Sequence, residues 1–383
     1  SVYLTGPYNG APFGLSVATP AVAGPFNLGT VIANSMIQID PNTAAVTVTT
    51  TETRILDARG GTTIASSALP TMIKGVPVQL KAIHVQIDRE HFQFNPTNCN
   101  PMAITGTLVG SQGGSQGFST PFQVANCGSL PFAPKLTAHV DGTGSKANGV
   151  GFYVKLESPG LGQANIHQVE LQLPIALPSR LSTIQQACPD NVFEANPAAC
   201  GEGSVIGKAV IHTPVLKSPL EGPAYLVSHA NLAFPDVVFV LQGENIKLVL
   251  DGHTDIKKGI TYSRFETAPD APFSTFETSL PAGPHSALGV NVEPQKNYSL
   301  CGANLAMPTK IVSQGEGVIE QTTQITPSGC GEVKNFKESN AQKLKKALKA
   351  CKKKKNKKKR IACERAARKK YGPHPKHKSH KKK

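Results

Sequence analysis

The chain has 383 residues, enough for two or three domains with cores of their own. Its formal net charge of +15 is unevenly distributed: residues 331–383 hold 23 Lys and Arg against three Glu, whereas residues 1–330 hold 17 basic and 22 acidic residues. The asymmetry excludes a uniformly basic protein and indicates a basic interaction segment on a mildly acidic body. No apolar run reaches the roughly 18 to 20 residues of a membrane-spanning helix.

Residues 1–133 are predicted to form a β module, called copy A here. In LKAIHVQID, the residues Ile83, Val85 and Ile87 alternate with polar residues, which is the period of a strand with one buried face. Glycine- and proline-rich turns separate such stretches. Because SVYLTGPYNG already has the pattern of a strand and a turn, we expect Ser1 to be a mature or truncated start.

Residues 134–216 are predicted to form a second, different β-sandwich unit. It begins with two alternating strands, VGFYVKLES and IHQVELQLP, and continues with a short helical insertion between Cys188 and Cys200. The stretch SVIGKAVIHTPVL then returns to a strand pattern.

Residues 217–333 repeat the pattern of copy A and are called copy B. The stretch FNPTNCNPMAITGTLVGSQGG at 94–114 aligns with NYSLCGANLAMPTKIVSQGEG at 297–317, so that Cys99 corresponds to Cys301 and Cys127 to Cys330. If each copy follows a unit like 134–216, a further such unit precedes Ser1. The predicted fold is therefore all-β, with tandem β-sandwich modules and a short disulfide-stapled helical insertion, and crossover helices for a parallel α/β fold are missing.

The eight cysteines have orderly spacings that predict four sequence-local disulfides. The pattern contains no CxxC pair, which disfavours a zinc ribbon or a thioredoxin-like site. Disulfides indicate an oxidising, extracellular compartment, and free buried thiols are the alternative. The predicted pairs are Cys99–Cys127, Cys188–Cys200, Cys301–Cys330 and Cys351–Cys363.

The C-terminal segment carries the clearest functional signal. Residues 334–372 are predicted to form a basic, disulfide-stapled helical hairpin, because apolar residues recur there at helical spacing, and residues 373–383 are predicted to be a disordered basic tail. Clustered cations bind polyanions. The residues predicted to bind one are Lys345, Lys346, Lys349, Lys352, Lys353, Lys354, Lys355, Lys357, Lys358, Lys359, Arg360, Arg365, Arg368, Lys369 and Lys370.

An anionic cell-wall polymer or acidic polysaccharide is favoured as the partner over nucleic acid. Proteins that bind single-stranded nucleic acid interleave aromatic residues with cationic ones, and this segment has only Tyr371. A nucleic-acid-binding protein that uses the same segment is the first alternative.

Motifs of catalysis or metal binding are incomplete. GGSQG at 113–117 has the GxSxG spacing of a hydrolase nucleophile but precedes a strand, not a helix. GEGSVIGKA at 201–209 lacks the first glycine and the final Ser or Thr of a phosphate-binding loop. DGHTD at 251–255 lacks the distal Glu of a calcium loop. The sequence therefore predicts no catalytic residue, metal ligand or cofactor, and an enzyme acting on cell-wall polysaccharide is the second alternative.

Several longer phrases resemble a known kind of protein. YLTGPYNGAPFGLSVATPAVAGPFNLGTV, LPSRLSTIQQACPDNVFEANPAACGEGSVIG and IKKGITYSRFETAPDAPFSTFETSLPAGPHSAL are similar to repeat-bearing secreted or cell-surface proteins of actinobacteria with Lys-rich C-terminal tails. That family has no established activity, so the resemblance implies location and architecture only. Together these features predict a non-enzymatic, extracellular, cell-wall-associated protein whose basic tail binds an anionic envelope polymer.

Overall fold

The structure, a computed structural model, describes residues 1–56, 62–66, 68–90, 92–330, 344, 347–351 and 357–371, with the backbone alone at 62–66 and 357–359. The chain divides into two units, residues 1–329 and residues 330–383.

Strands make up most of the first unit. In chain order they are β1 Val2–Thr5, β2 Phe13–Ala23, β3 Phe26–Ile39, β4 Val46–Leu56, β5 Thr62–Ser66, β6 Met72–Ile73, β7 Val76–Pro77, β8 Met102–Val109, β9 Ser115–Phe122, β10 Lys135–Asp141, β11 Phe152–Glu157, β12 Ile166–Gln172, β13 Cys188–Pro189, β14 Val205–His212, β15 Leu220–Ser228, β16 Asp236–Gly243, β17 Ile246–Lys257, β18 Ile260–Phe265, β19 Thr275–Leu280, β20 Ala306–Ser313, β21 Val318–Gln324 and β22 Thr326–Ser328.

Helices are few. Among the described residues, α1 is Leu181–Ile184, α2 is Asp190–Ala195 and, in the second unit, α3 is Lys357–Tyr371, preceded by helical residues at 347–351. Short 3-10 helices lie at Cys127–Ser129, Pro197–Ala199, Glu202–Ser204 and Pro294–Lys296. Strands far outnumber helices among the described residues, which confirms the predicted all-β class. No helix in the described residues is long and apolar enough to cross a bilayer.

One sheet of thirteen strands organises the first unit. Its order is β21-β20-β12-β18-β17-β16-β15-β14-β19-β11-β10-β22, with β13 paired to β15. The strands at the two ends of this order, β21 and β22, are separated in the chain by Ile325 alone, whose side chain is fully buried. Because consecutive residues hold both edges together, the sheet is nearly closed.

Strands from 134–216 lie among strands from 217–333 in this sheet. Strand β12 pairs with β18 on one side and with β20 on the other. Strand β19 likewise lies between β11 and β14. The sheet therefore combines strands from both sides of residue 216, the predicted boundary between the middle unit and copy B.

The two copies share their chain order but not their pairing. Each has a meander of strands, β1 to β4 or β15 to β18, and ends in a hairpin, β8–β9 or β20–β21, that lies between two cysteines. In copy B the hairpin pairs with β12 and contributes Met307 and Ile311, both fully buried, to the core. In copy A the hairpin forms a separate two-stranded sheet with exposed faces.

The strand predicted at LKAIHVQID is wrong. Residues 81–89 have no assigned strand, and Ile83 and Ile87 are 62% and 41% exposed. Strand β19 (Thr275–Leu280) differs because β11 and β14 flank it. Within the described residues no strand flanks residues 81–89, so the alternating pattern has no face to bury.

All eight cysteines are disulfide-bonded, as predicted. The pairs Cys99–Cys127, Cys188–Cys200 and Cys351–Cys363 have Cα separations of 5.6, 5.4 and 5.6 Å. Cys301 and Cys330 are also disulfide-bonded. The Cys188–Cys200 bond closes the predicted helical insertion, which contains α2.

Candidate functional site

The predicted polyanion-binding residues all belong to the second unit, which contains helix α3 (Lys357–Tyr371). Lys349, Lys357, Lys358, Lys359, Arg360, Arg365, Arg368, Lys369 and Lys370 belong to the described residues, whereas Lys345, Lys346, Lys352, Lys353, Lys354 and Lys355 lie outside them. The tail predicted at 373–383 lies outside the described residues as well.

Helix α3 has one buried stripe and one basic face. Cys363, Ala367 and Tyr371 recur every four residues and are partly or fully buried. Arg368 and Lys369 lie three and four positions after Arg365, on another face, and all three are exposed. The apolar stripe is therefore the packed side of the helix, and the cations lie on the side that faces solvent.

A disulfide fixes this helix against a preceding helical segment, residues 347–351. It joins Cys363 to Cys351, whose side chain is only 2% exposed. Three basic residues in the last turn, Arg368 to Lys370, interact favourably with the partial negative charge of the helix C-terminus. The predicted disulfide between two helical segments is thereby confirmed.

An apolar cavity of about 620 Å³ lies within the first unit, on the inner face of the nearly closed sheet. Its lining comes from many strands because inward residues alternate along each of them. Representative lining residues are Val154 of β11, Leu171 of β12, Ile211 of β14, Phe239 of β16, Leu250 of β17 and Phe276 of β19.

Aromatic packing supports one wall of the cavity. The ring of Phe239 lies 5.6 Å from that of Phe265 and 5.4 Å from that of Phe276. The few polar side chains that line the cavity include Thr254, whose hydroxyl is buried and has no hydrogen-bond partner among the described residues. Cavities of 300 to 1,000 Å³ with few polar groups are typical of small-molecule sites.

A cluster of histidines and aspartates lies beside strands β15 to β17. His229 follows β15, Asp236 begins β16, and Asp251 and His253 lie on β17. One side-chain donor atom each from His229, Asp236 and Asp251 lies within 4.8 Å of the others. Residues that are 22 positions apart in the chain thus meet at one point.

Hydrogen bonds and charges hold this cluster. His229 Nδ1 lies 3.0 Å from Asp190 Oδ2, and His229 Nε2 lies 3.5 Å from Asp236 Oδ2. Burial opposes the charged form of His229, but the hydrogen bond to Asp190 and the surrounding carboxylates raise its pKa. The side chain of Asp251 is exposed, but partial desolvation by its neighbours, together with the negative charge of Asp236, raises its pKa. The cluster carries unbalanced negative charge.

The other sequence motifs have structural roles. Ser115 of GGSQG begins β9 in an exposed hairpin, which is not the strand–turn–helix arrangement of a hydrolase nucleophile. In GEGSVIGKA, Ser204 is fully buried, and its hydroxyl donates to the carbonyl oxygen of Gly201. His84 and Asp88 lie in the exposed segment 81–89.

Sequence reasoning missed the cavity and two members of the cluster. DGHTD drew attention to Asp251 and His253, but His229 and Asp236 lie in SHANLAFPD, where nothing marks them as their neighbours. The signal for the cavity was present as alternating apolar residues, but alternation does not define the width of the enclosed space.

Comparisons with known proteins identify no family for this chain. No protein-family model matches it, and neither a curated protein nor a solved structure matches it significantly.

Proposed function

We propose that this protein is a non-enzymatic, extracellular surface protein that binds an anionic cell-envelope polymer through its basic C-terminal unit. The observation that carries the proposal is the exposed face of Arg365, Arg368 and Lys369 on a helix held by a disulfide. A fixed array of cations binds a polyanion with less loss of conformational entropy than a mobile one.

The disulfides support the extracellular location. Disulfides form and persist outside the cytoplasm, and every cysteine of this chain is bonded. A nucleic-acid-binding protein of the cytosol would keep its thiols reduced, so the same observation disfavours the first alternative.

Co-sedimentation with purified Gram-positive cell walls over a salt series tests the proposal. The variant Arg365→Gln/Arg368→Gln/Lys369→Gln removes the basic face but keeps good helix formers. We expect weaker binding and a shallower dependence on salt, since each lost contact to an anionic group releases fewer counterions, with a slope near 0.9 per phosphate on duplex DNA.

The matched control is Lys135→Gln/Lys208→Gln/Lys247→Gln, which removes three exposed charges from the body. Equal binding by both variants and the unaltered chain would contradict the proposal, as would tighter binding to DNA than to cell walls at the same ionic strength.

The cavity favours a second function, the binding of a long apolar ligand by the body. Its volume and apolar lining suit an acyl chain, and the unpaired hydroxyl of Thr254 could bond a polar group of such a ligand. Burial of apolar surface would drive the association, at about 25 cal/mol per Å² before the costs of binding.

Titration with a fluorescent long-chain fatty acid tests this second function. The substitution Leu171→Phe adds volume inside the cavity, and we expect it to weaken probe binding at least about tenfold. Glu170→Phe places the same side chain on the opposite face of the same strand and serves as the control. Identical affinities for the three proteins would show that the probe binds elsewhere.

A further inference from the structure

The His229 ring has a defined orientation. Its Nδ1 lies 3.0 Å from a carboxylate oxygen of Asp190, the first residue of α2. An ionised carboxylate only accepts hydrogen bonds, so Nδ1 carries the proton and donates it to Asp190. The lone pair of a neutral imidazole is then on Nε2, the atom that faces the sheet.

When the His229 ring is neutral, the surroundings of Nε2 are unfavourable unless a cation, either a proton or a metal ion, lies on this atom. This atom is buried and has no hydrogen-bond partner among the described residues. It lies 3.5 Å from Asp236 Oδ2, with the carboxylate of Asp251 also nearby. A lone pair and two carboxylates that point toward one another repel, whereas a shared divalent cation would turn each contact into an attraction.

Asp236 is held as a metal ligand usually is. Only 6% of its side chain is exposed. Its Oδ1 accepts a hydrogen bond from the backbone N–H of Thr254 at 2.8 Å and lies 3.2 Å from His253 Nδ1. These contacts fix the carboxylate and leave Oδ2 directed toward His229, and such outer contacts orient ligands in known metal sites.

We propose that His229 Nε2, Asp236 and Asp251 bind a divalent transition-metal ion, with Asp190 as the residue that orients His229. One imidazole and two carboxylates suit Zn²⁺ or Mn²⁺, which take mixed nitrogen and oxygen ligands. The donor atoms already lie within 4.8 Å of one another. Ligands about 2.1 Å from a metal are separated by roughly 3 to 4 Å, so a small contraction completes the site.

The site would add a further link among elements that already pair in the sheet. Asp190 belongs to the insertion closed by Cys188 and Cys200, and the loop from His229 to Pro235 links β15 to β16. A bound ion would link the insertion and this loop to β17. It would also stabilise the fold, because a ligand that binds only the folded state stabilises that state.

Isothermal titration calorimetry of the full chain with ZnCl₂ and with MnCl₂ tests the proposal after treatment with a chelator. The histidines His374, His377 and His380 could also bind Zn²⁺, so their triple alanine variant provides the background. In that background we expect one equivalent of metal to bind, and Asp251→Asn to weaken binding at least about 100-fold.

Asp190→Asn is the second variant, and it changes a residue that orients His229 but would not itself contact the metal. If the new amide donates to Nδ1, the proton moves to Nε2 and blocks coordination, so we expect a loss of about 10- to 100-fold in affinity. His139→Ala removes a histidine from β10 and should leave binding unchanged. Metal binding that disappears with the tail histidines, or that survives both aspartate substitutions, would overturn the proposal.

Discussion

Thr97 donates two hydrogen bonds to Asp270, from its backbone N–H to Oδ2 and from its hydroxyl to Oδ1, both at 2.6 Å. Asn98 and Asn165 complete the arrangement: the N–H and the side-chain amide of Asn98 bond Oδ2, and the amide of Asn165 bonds Oδ1. One carboxylate therefore joins copy A to residues of the middle unit and copy B.

Replacement of Asp270 by asparagine should destabilise the first unit. The amide keeps the shape but loses the charge and turns one acceptor into a donor that faces other donors. Hydrogen bonds to a charged group contribute about 1.5 to 3 kcal/mol each, so we expect a loss of about 3 kcal/mol in the free energy of unfolding. Urea denaturation measures it. A loss below about 1 kcal/mol would mean that the contacts are not made in solution.

The same residue predicts a dependence on pH. Burial opposes its charged form, but the hydrogen bonds from Thr97, Asn165 and Asn98 hold the pKa of Asp270 below its usual value of 3.8. A group with a lowered folded-state pKa stabilises the protein above its unfolded pKa, and this contribution is lost as the pH falls through the folded pKa. The difference in stability between the unaltered chain and Asp270→Asn should therefore shrink below about pH 4. A difference that stays constant in urea titrations down to about pH 2 would argue against the shift.

Amide exchange should distinguish residues 81–88, which have a strand-like sequence pattern, from strand β19. Residues 81–88 donate no backbone hydrogen bond among the described residues, whereas β19 (Thr275–Leu280) pairs on both sides. We expect the amides of β19 to exchange at least about a thousandfold more slowly, as measured by mass spectrometry after proteolysis. Similar rates would mean that residues 81–88 are paired in solution.

Loss of the Cys351–Cys363 bond should loosen α3. The bond closes a loop with a sequence separation of 12, and such a constraint contributes about 3 kcal/mol. In Cys351→Ser/Cys363→Ser we expect faster amide exchange across residues 360–371. The matched variant Cys188→Ser/Cys200→Ser, which removes a bond of equal sequence separation in the first unit, should leave these amides unchanged.

Gly222 should not tolerate a side chain. A Cβ atom built there would lie 1.9 Å from the carbonyl oxygen of Val240 on the neighbouring strand. Gly222→Ala must push β15 and β16 apart, and we expect a loss of about 2 to 4 kcal/mol in thermal or chemical unfolding. At Gly201 a Cβ meets nothing within 4 Å, so Gly201→Ala is the control and should change stability little.

Structural features that are determined by residues close together in the chain could be predicted from the sequence. Alternation in VGFYVKLES and IHQVELQLP identifies β11 and β12, since both strands have one face on the core. Orderly spacing identifies the disulfides, because Cys99–Cys127, Cys188–Cys200 and Cys351–Cys363 join residues 28, 12 and 12 positions apart. Local signals suffice for both.

Features that depend on distant strands could not be predicted. Ile83, Val85 and Ile87 alternate as well as Phe276, Thr278 and Leu280 do, but only the latter have strands on both sides. His229 and Asp251 meet because β15, β16 and β17 are adjacent in the sheet. The sequence pattern alone does not show that residues 81–89 lack neighbouring strands among the described residues. It also does not show that His229 and Asp251 lie close together.

The pairing of β10 with β22 is parallel and joins His139 to Thr326, 187 positions further along the chain. At about 5 to 20 residues per second, a ribosome needs roughly 10 seconds or more to add that length. Strand β10 therefore keeps one edge unpaired through that interval, and β11 keeps one edge unpaired until β19 is made, since Phe152 pairs with Leu280, 128 positions later. Folding of this sheet must follow the completion of the body, so the nascent chain depends on whatever keeps unpaired strands apart until then.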